Sequence, residues 1–278
     1  MADESPSEDI PVPLPSSTVL LLRDGPDGLE VFMVERNGQV GAFPGAMVFP
    51  GGKVVPEDYS PALRELADNA ALLDDEAFGF GVSSVREAFE ECGVLLAHRD
   101  GATLKDDELL PLARFRDDIG RNRIPFADFL TDHGLRLDLD GLAPFSRWVT
   151  PVFAPKRFDT MFFLAAVPPD QTLSHDGSET VKGLWMRPQQ VIDAADREMK
   201  HSLYFATRLN IMDLALSETV AHALERSTTR TPPSVMPWRE TTPDGPRLRI
   251  DPDSGYGLVE ATFDVARGVA PLSVAGNA

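Results

Sequence analysis

The apolar positions of this chain fall into two periods. Residues 17–22 and 31–35 are short β-branched or apolar runs on either side of Asp24-Gly25-Pro26-Asp27-Gly28, which predicts a β-hairpin with a turn-rich loop. A further run at 46–49 stops at Pro50-Gly51-Gly52, where proline ends pairing and glycine lets another group approach the backbone closely. From Pro56 to Phe80 the composition shifts to Ala, Leu, Asp and Glu at helical spacing. Gly79 and Gly81 punctuate its end, and a second helix is expected from about Ser84. Residues 106–142 mix Leu, Phe, Arg and Asp around the breakers Pro125 and Gly134, which predicts two or three short helices serving as a lid or cap.

Strand signals return at 148–153, 160–167 and 181–186, and Pro188 opens a helix running to about Asp196. Within 201–226, Leu203, Leu209, Met212, Leu216 and Val220 form a core-facing stripe of one long amphipathic helix. Beyond Ser227 prolines and glycines multiply, so an irregular wrapping tail is expected. These boundaries divide the chain into a disordered leader (1–15), a main domain (16–200) with helical insertions near 59–82 and 106–142, and a C-terminal helix and tail (201–278) packed on that domain. No internal repeat is visible.

Composition narrows the function classes. With 278 residues and 42% hydrophobic content the chain can bury a substantial core. Lys and Arg number 26 against 44 Asp and Glu, a net charge of -18 that repels nucleic-acid phosphates except at a local basic pocket, so no nucleic-acid partner is expected. Cys92 is the only cysteine, which rules out an internal disulfide or a Cys-based zinc site and fits a reducing cytoplasm. The acidic, proline-containing start does not resemble a secretory signal, and nowhere do about 18 apolar residues run together. A cytoplasmic protein without a membrane partner is the expectation; the sequence leaves a homodimer open.

Chemistry concentrates at 84–94. Val85, Ala88, Phe89 and Cys92 share one helical face, while Glu87, Glu90 and Glu91, at i, i+3 and i+4, gather carboxylates on the other. Like charges so placed repel by about 0.2–0.5 kcal/mol per pair, a cost a divalent cation would offset. Carboxylates suit Mg2+, which keeps water and phosphate oxygens in its remaining positions. The plainer reading is that Ser84 and Glu87 form a capping box, Arg86 pairs with Glu90, and the acidic face is solvated.

Arg86 to Val94, together with Gly52 and Asp58, resemble the Nudix box, Gly-x5-Glu-x7-Arg-Glu-U-x-Glu-Glu-x-Gly-U with U bulky and apolar. Ala88 is a small U, Asp58 replaces the first Glu, and residues 59–85 occupy the seven-residue spacer. With Trp148-Val149-Thr150-Pro151 and Arg157-Phe158-Asp159-Thr160, the chain looks like the Nudix subgroup that includes mammalian Nudix motif 19. The resemblance implies an α/β fold, an α/β/α sandwich on a mixed sheet with helical insertions and a C-terminal helical extension.

It further implies a diphosphatase using Mg2+ or Mn2+, with coenzyme A or acyl-CoA as substrate and 3',5'-ADP and (acyl-)phosphopantetheine as products. By the same resemblance Glu87, Glu90 and Glu91 are metal ligands, Glu87 or Glu91 accepts a proton, and Arg86 holds the carboxylates in place. Glu179, before the strand expected at 181–186, is the candidate for one more ligand or base. Gly51 and Gly52 would admit the substrate. Arg36 and Arg157 are expected to grip its phosphates, Arg157 first because a guanidinium offers two parallel hydrogen bonds, while Lys53 reads as a surface charge. His175 and His201 have no metal-ligand spacing. Two other readings stay open: an ADP-ribose or NADH pyrophosphatase, and a non-catalytic metabolite-binding protein of the same fold.

Overall fold

The structure is a computed structural model that describes residues 10–36, 46–173, 180–196 and 203–262. Its centre is a mixed sheet in the order β10-β2-β1-β9-β8-β11. The strands are β1 (Leu14–Gly25), β2 (Gly28–Arg36), β8 (Ala143–Val149), β9 (Phe158–Ala166), β10 (Thr180–Met186) and β11 (Ser234–Val235). Two short strands, β3 (Met47–Val48) and β4 (Gly51–Lys53), pair with β2 and β1. β1 runs parallel to β9 and antiparallel to β2, so a hairpin and a crossover meet on one strand. The hairpin turns at Pro26-Asp27, with Gly25 opposite Gly28.

Period-two alternation explains why the central strands read as unbroken apolar runs. Val19, Leu21, Phe32, Val34, Phe163 and Ala165 enter one core, and Leu20, Leu22, Val31, Met33, Phe162 and Leu164 enter the other. Both faces of the sheet are covered, which gives the three-layer α/β/α sandwich. One outer layer holds α1 (Pro61–Glu65), α2 (Asp75–Cys92), α3 (Asp106–Leu109), α4 (Arg116–Gly120) and α5 (Phe126–Asp132). A small sheet of β5 (Ala97–Arg99), β6 (Ala102–Thr103) and β7 (Arg136–Leu137) lies between α2 and β8 in the chain. The other layer holds α6 (Pro188–Asp196), α7 (Phe205–Leu214) and α8 (Val220–Thr228).

Six local expectations need correction. The second helix starts at Asp75, capped by Asp74 (carboxylate to Ala77 N, 2.7 Å), and runs straight through Gly79 and Gly81. Gly79 serves packing there, since a Cβ would stand 2.2 Å from the Tyr59 ring. Ser84 is consequently mid-helix, and its buried hydroxyl has no hydrogen-bond partner, so no capping box with Glu87 exists. The single helix expected over 201–226 is two helices. A turn at Leu216 and Ser217 separates them, Thr219 caps α8 through His222 N (3.2 Å), and Leu216 is exposed.

The tail is a three-stranded sheet of β12 (Trp238–Thr242), β13 (Gly245–Arg249) and β14 (Glu260–Thr262). The strand expected to reach Phe153 stops at Val149, leaving Val152 and Phe153 exposed beyond Pro151. β1 begins at Leu14, inside the stretch expected as a leader, because Leu14 N bonds Arg157 O (2.9 Å) and Pro15 O accepts from Val54 N (3.0 Å). Among the described residues no helix is long and apolar enough to cross a membrane.

Candidate active site

The site forms where α2 crosses the β1–β4 pairing. Gly51, Gly52 and Lys53 sit opposite Thr18, Ser17 and Ser16. Gly51 has no room for a side chain, since a Cβ would meet Ser17 O at 2.4 Å. Gly52 has none either: its Cβ would fall 2.3–2.7 Å from the Glu87 carboxylate, so this glycine lets a carboxylate lie against the backbone. Glu91 reaches the same loop and accepts from Gly51 N at 3.1 Å.

Arg86 organises the centre. It is 8% exposed, and its fork donates to both oxygens of Asp58, which is fully buried (Nε to Oδ1 2.9 Å, Nη2 to Oδ2 3.0 Å). Nη1 donates to Glu87 Oε1 and Glu90 Oε1, each at 2.9 Å, and Nη2 also reaches Lys53 O (3.0 Å) and Ser83 Oγ (3.2 Å). Asp58 in turn accepts from Val55 N at 2.9 Å, which fixes the tight turn Pro56–Tyr59 that presents it.

Burial works against the charged guanidinium. The hydrogen bonds that Arg86 donates to Asp58 and the charges of Glu87, Asp58 and Glu90 outweigh it and hold the Arg86 pKa above its usual value. Glu90 is pushed up to about 7, chiefly by burial, with Arg86 pulling down and Glu87 and Asp58 adding to the rise. The cover over Glu90 comes from the insertion: Arg116 Nε donates to Glu90 O (3.0 Å), and Gly120 lies close enough that a Cβ would be 3.1 Å from Glu90 Oε2.

Glu87, Glu90, Glu91, Arg86, Gly51 and Gly52 are thus brought together, with Asp58 as the buried anchor. Arg157 is 7% exposed and donates to Thr150 O (3.0 Å), Pro11 O (2.9 Å) and Met236 Sδ (3.5 Å), so its guanidinium ties three chain segments together. Arg36 ends β2, and its side chain lies outside the described residues, as do Glu179, His175 and His201. Lys53 is exposed beside Gly52.

Sequence reasoning missed Ser83, Arg116 and Gly120. Ser83 is three residues before Arg86, a spacing that places it on the same helical face, while the other two come from a segment whose folding back onto α2 has no local signal.

Among the described residues no group of three or more His, Cys, Asp or Glu side chains is gathered as a ready metal cage. The three helix glutamates are spread between Arg86 and the glycine loop. The donor set is nevertheless all oxygen, and the Gly52 cradle brings a carboxylate to the loop, which is the chemistry a hard divalent cation takes. A separate cavity of about 580 Å³ opens at the other end of β1, among Gly28, Arg187 and Glu218, and contains none of these groups.

The sheet, its two helical layers and the Arg86 cluster define the class, and comparison agrees. A solved structure from Alicyclobacillus acidocaldarius, a NUDIX hydrolase, shares the fold with a TM-score of 0.64 at 24% identity, covering 80% of this chain and 97% of its own. The chain belongs to the Nudix hydrolase superfamily. Within it the homology is to the NUDT19 subgroup: a family model described as the NUDT19 Nudix domain matches residues 64–201. The acyl-coenzyme A diphosphatase NUDT19 of Xenopus laevis is 23% identical over 59% of this chain, and that of Homo sapiens 26% over 60%. The chain spans 54% and 56% of the length of those relatives.

Proposed function

We propose that this protein hydrolyses a diphosphate linkage in a nucleotide-like small molecule, with coenzyme A or acyl-CoA as the substrate and 3',5'-ADP and (acyl-)phosphopantetheine as products. The observation that carries the reading is the placement of Glu87 and Glu91 on the Gly51–Gly52 backbone while Arg86 restrains Glu87 and Glu90. The names of the NUDT19 relatives support the substrate.

Glu87, Glu90 and Glu91 would hold Mg2+ or Mn2+, with Glu179 as a further ligand. When bound, such an ion supplies charge neutralisation at the phosphates and a lowered pKa for an attacking water. The protein's own residues do the rest. Arg86 bridges the Glu87 and Glu90 carboxylates through one nitrogen and so fixes their geometry, and the Asp58 pair keeps Arg86 from swinging toward substrate. Gly51 and Gly52 let the β1 backbone and the Glu87 carboxylate pack against the loop, beside which a diphosphate would lie. Glu87 or Glu91 would accept the proton of the attacking water. Arg36 is the cation proposed for the phosphates; Arg157, already bonded on three sides, is assigned to the scaffold.

The test is chromatographic product analysis with coenzyme A, ADP-ribose and NADH, in Mg2+ or Mn2+ and after chelation, for the wild type and Glu91→Gln. The variant removes charge while leaving an oxygen to accept from Gly51 N. Release of 3',5'-ADP that is lost on chelation and falls at least about 100-fold in the variant is the expected result. Cleavage of another substrate would move the assignment to the ADP-ribose or NADH class. Absence of cleavage with either metal would favour the metabolite-binding reading, for which the lack of a ready metal cage among the described residues is the supporting observation.

A further inference from the structure

Glu57 and Asp58 are consecutive on the turn Pro56–Tyr59, yet their carboxylates serve different parts of the molecule. Asp58 holds Arg86. Glu57 Oε1 accepts from Phe126 N at 2.9 Å, across 69 residues. Phe126 is the first residue of α5. The amides of a first helical turn have no partner within the helix, and the cap residue here, Pro125, provides no side-chain acceptor. Phe126 is also 1% exposed, so its surroundings offer little access to water.

The same insertion lies on α2. Phe129 of α5 stacks on Phe89 (centroids 5.2 Å apart, planes at 25°) and on Phe126 (6.0 Å, 10°). Phe89 precedes Glu90, whose carbonyl receives Arg116 Nε and whose carboxylate lies against Gly120. A closed circuit results: from Arg86 through Asp58 to Glu57, across to Phe126, through Phe129 to Phe89, and back along α2. Each link is a hydrogen bond or a ring contact, except the peptide step between Asp58 and Glu57 and the run of α2 from Phe89 back to Arg86.

We infer that Glu57 is a positioning residue, registering the helical insertion on α2 so that the seating of Arg86 and Glu90 depends on a contact made outside the carboxylate cluster. The insertion is then part of the site's framework as well as its wall. Only the cation-binding arm of the test rests on the proposed function.

The experiment compares wild type, Glu57→Ala and Glu57→Gln, with thermal melts to establish that each is folded. Glutamine keeps an oxygen for Phe126 N and loses only the charge. In metal-free protein, amide hydrogen exchange followed by mass spectrometry should be about 5–10-fold faster in Glu57→Ala across both 126–132 and 83–92, and near wild type in Glu57→Gln. Mn2+ titration should show binding weakened about 5–10-fold in the alanine variant and restored in glutamine, as for residues that orient ligands without touching the ion.

Unchanged exchange at 83–92 in Glu57→Ala overturns the inference, because Glu57 then caps only α5. Equal damage in both variants overturns it too, since charge and not the acceptor would be at work. If the wild type binds no Mn2+, the metal reading fails on its own, and exchange at 83–92 alone decides whether Glu57 positions α2.

Discussion

Arg86 is the residue on which the centre turns, and its anchor shows what an Asp does where the Nudix box has Glu. The turn at Pro56–Tyr59 brings the backbone close enough that the shorter Asp58 side chain meets the guanidinium fork with both oxygens while accepting from Val55 N. Removing one partner of a buried pair leaves the other charge uncompensated, at a cost of about 3–5 kcal/mol. Asp58→Ala should therefore lose about 3–5 kcal/mol in urea unfolding, and Asp58→Asn clearly less because it still accepts from Val55 N or Arg86. A loss under about 1 kcal/mol for the alanine variant would show that Glu87 and Glu90 suffice to satisfy Arg86. At this scale much was legible. The i, i+3, i+4 glutamates and the Arg86–Glu90 pair follow from helical spacing alone. Arg157 was not, because a sequence does not reveal that Pro11 O, Thr150 O and Met236 Sδ converge on it.

Among the elements, α2 shows where glycine misleads. Gly79 and Gly81 read as punctuation because an isolated glycine costs about 1 kcal/mol against alanine in a helix. The helix continues because Asp74 caps it, because Phe78, Val82, Val85 and Phe89 bury one side in the core, and because Gly93, at φ 72°, closes it. The two glycines then differ in a testable way. A Cβ at Gly81 would make ordinary contact with Leu139 and Leu142 at 3.6 Å, whereas at Gly79 it would strike the Tyr59 ring at 2.2 Å. Gly81→Ala should raise stability by about 0.5–1 kcal/mol, read as a higher melting midpoint. Gly79→Ala should lose that gain to displacement of Tyr59. Equal stabilisation by both would mean that Tyr59, 37% exposed, swings aside without cost.

The same lesson applies to the C-terminal third. The stripe from Leu203 to Val220 was legible as apolar but not as two helices, because the turn at Leu216 and Ser217 contains neither proline nor glycine. The tail's sheet was hidden by short strands, of which only β12 and β13 meet through a tight turn.

For the whole molecule, the tail must be held to the sandwich, and a buried polar group holds it. Tyr256, just before β14, donates to Asn210 Oδ1 of α7 (2.9 Å) and accepts from Trp148 Nε1 of β8 (3.3 Å), while Ser146 Oγ donates to the same Asn210 oxygen (2.8 Å). Three distant parts of the chain therefore meet at one phenol and one amide. Burial, the largest influence, pushes the Tyr256 pKa up to about 12, with Ser146 and Trp148 opposing and Asp213 adding to the rise. The folded state thus favours the neutral phenol more strongly than the unfolded chain, whose tyrosines ionise near about 10.

The sign follows from linkage. The contribution is fully present below pH about 10 and is lost as pH rises through about 12, because over that range the unfolded state gives up the proton and the folded state does not. Two pH units correspond to about 3 kcal/mol. Urea unfolding of the wild type between pH 9 and about 12, where the folded phenol is half ionised, should lose about 2 kcal/mol more stability than Tyr256→Phe, after both curves are referred to pH 9. The variant should start about 1–3 kcal/mol lower at pH 9, since Trp148 Nε1 loses its acceptor. Parallel curves for the two proteins would mean that the phenol ionises in place and that the apolar packing of Trp148, Phe205 and Leu248 alone holds the tail.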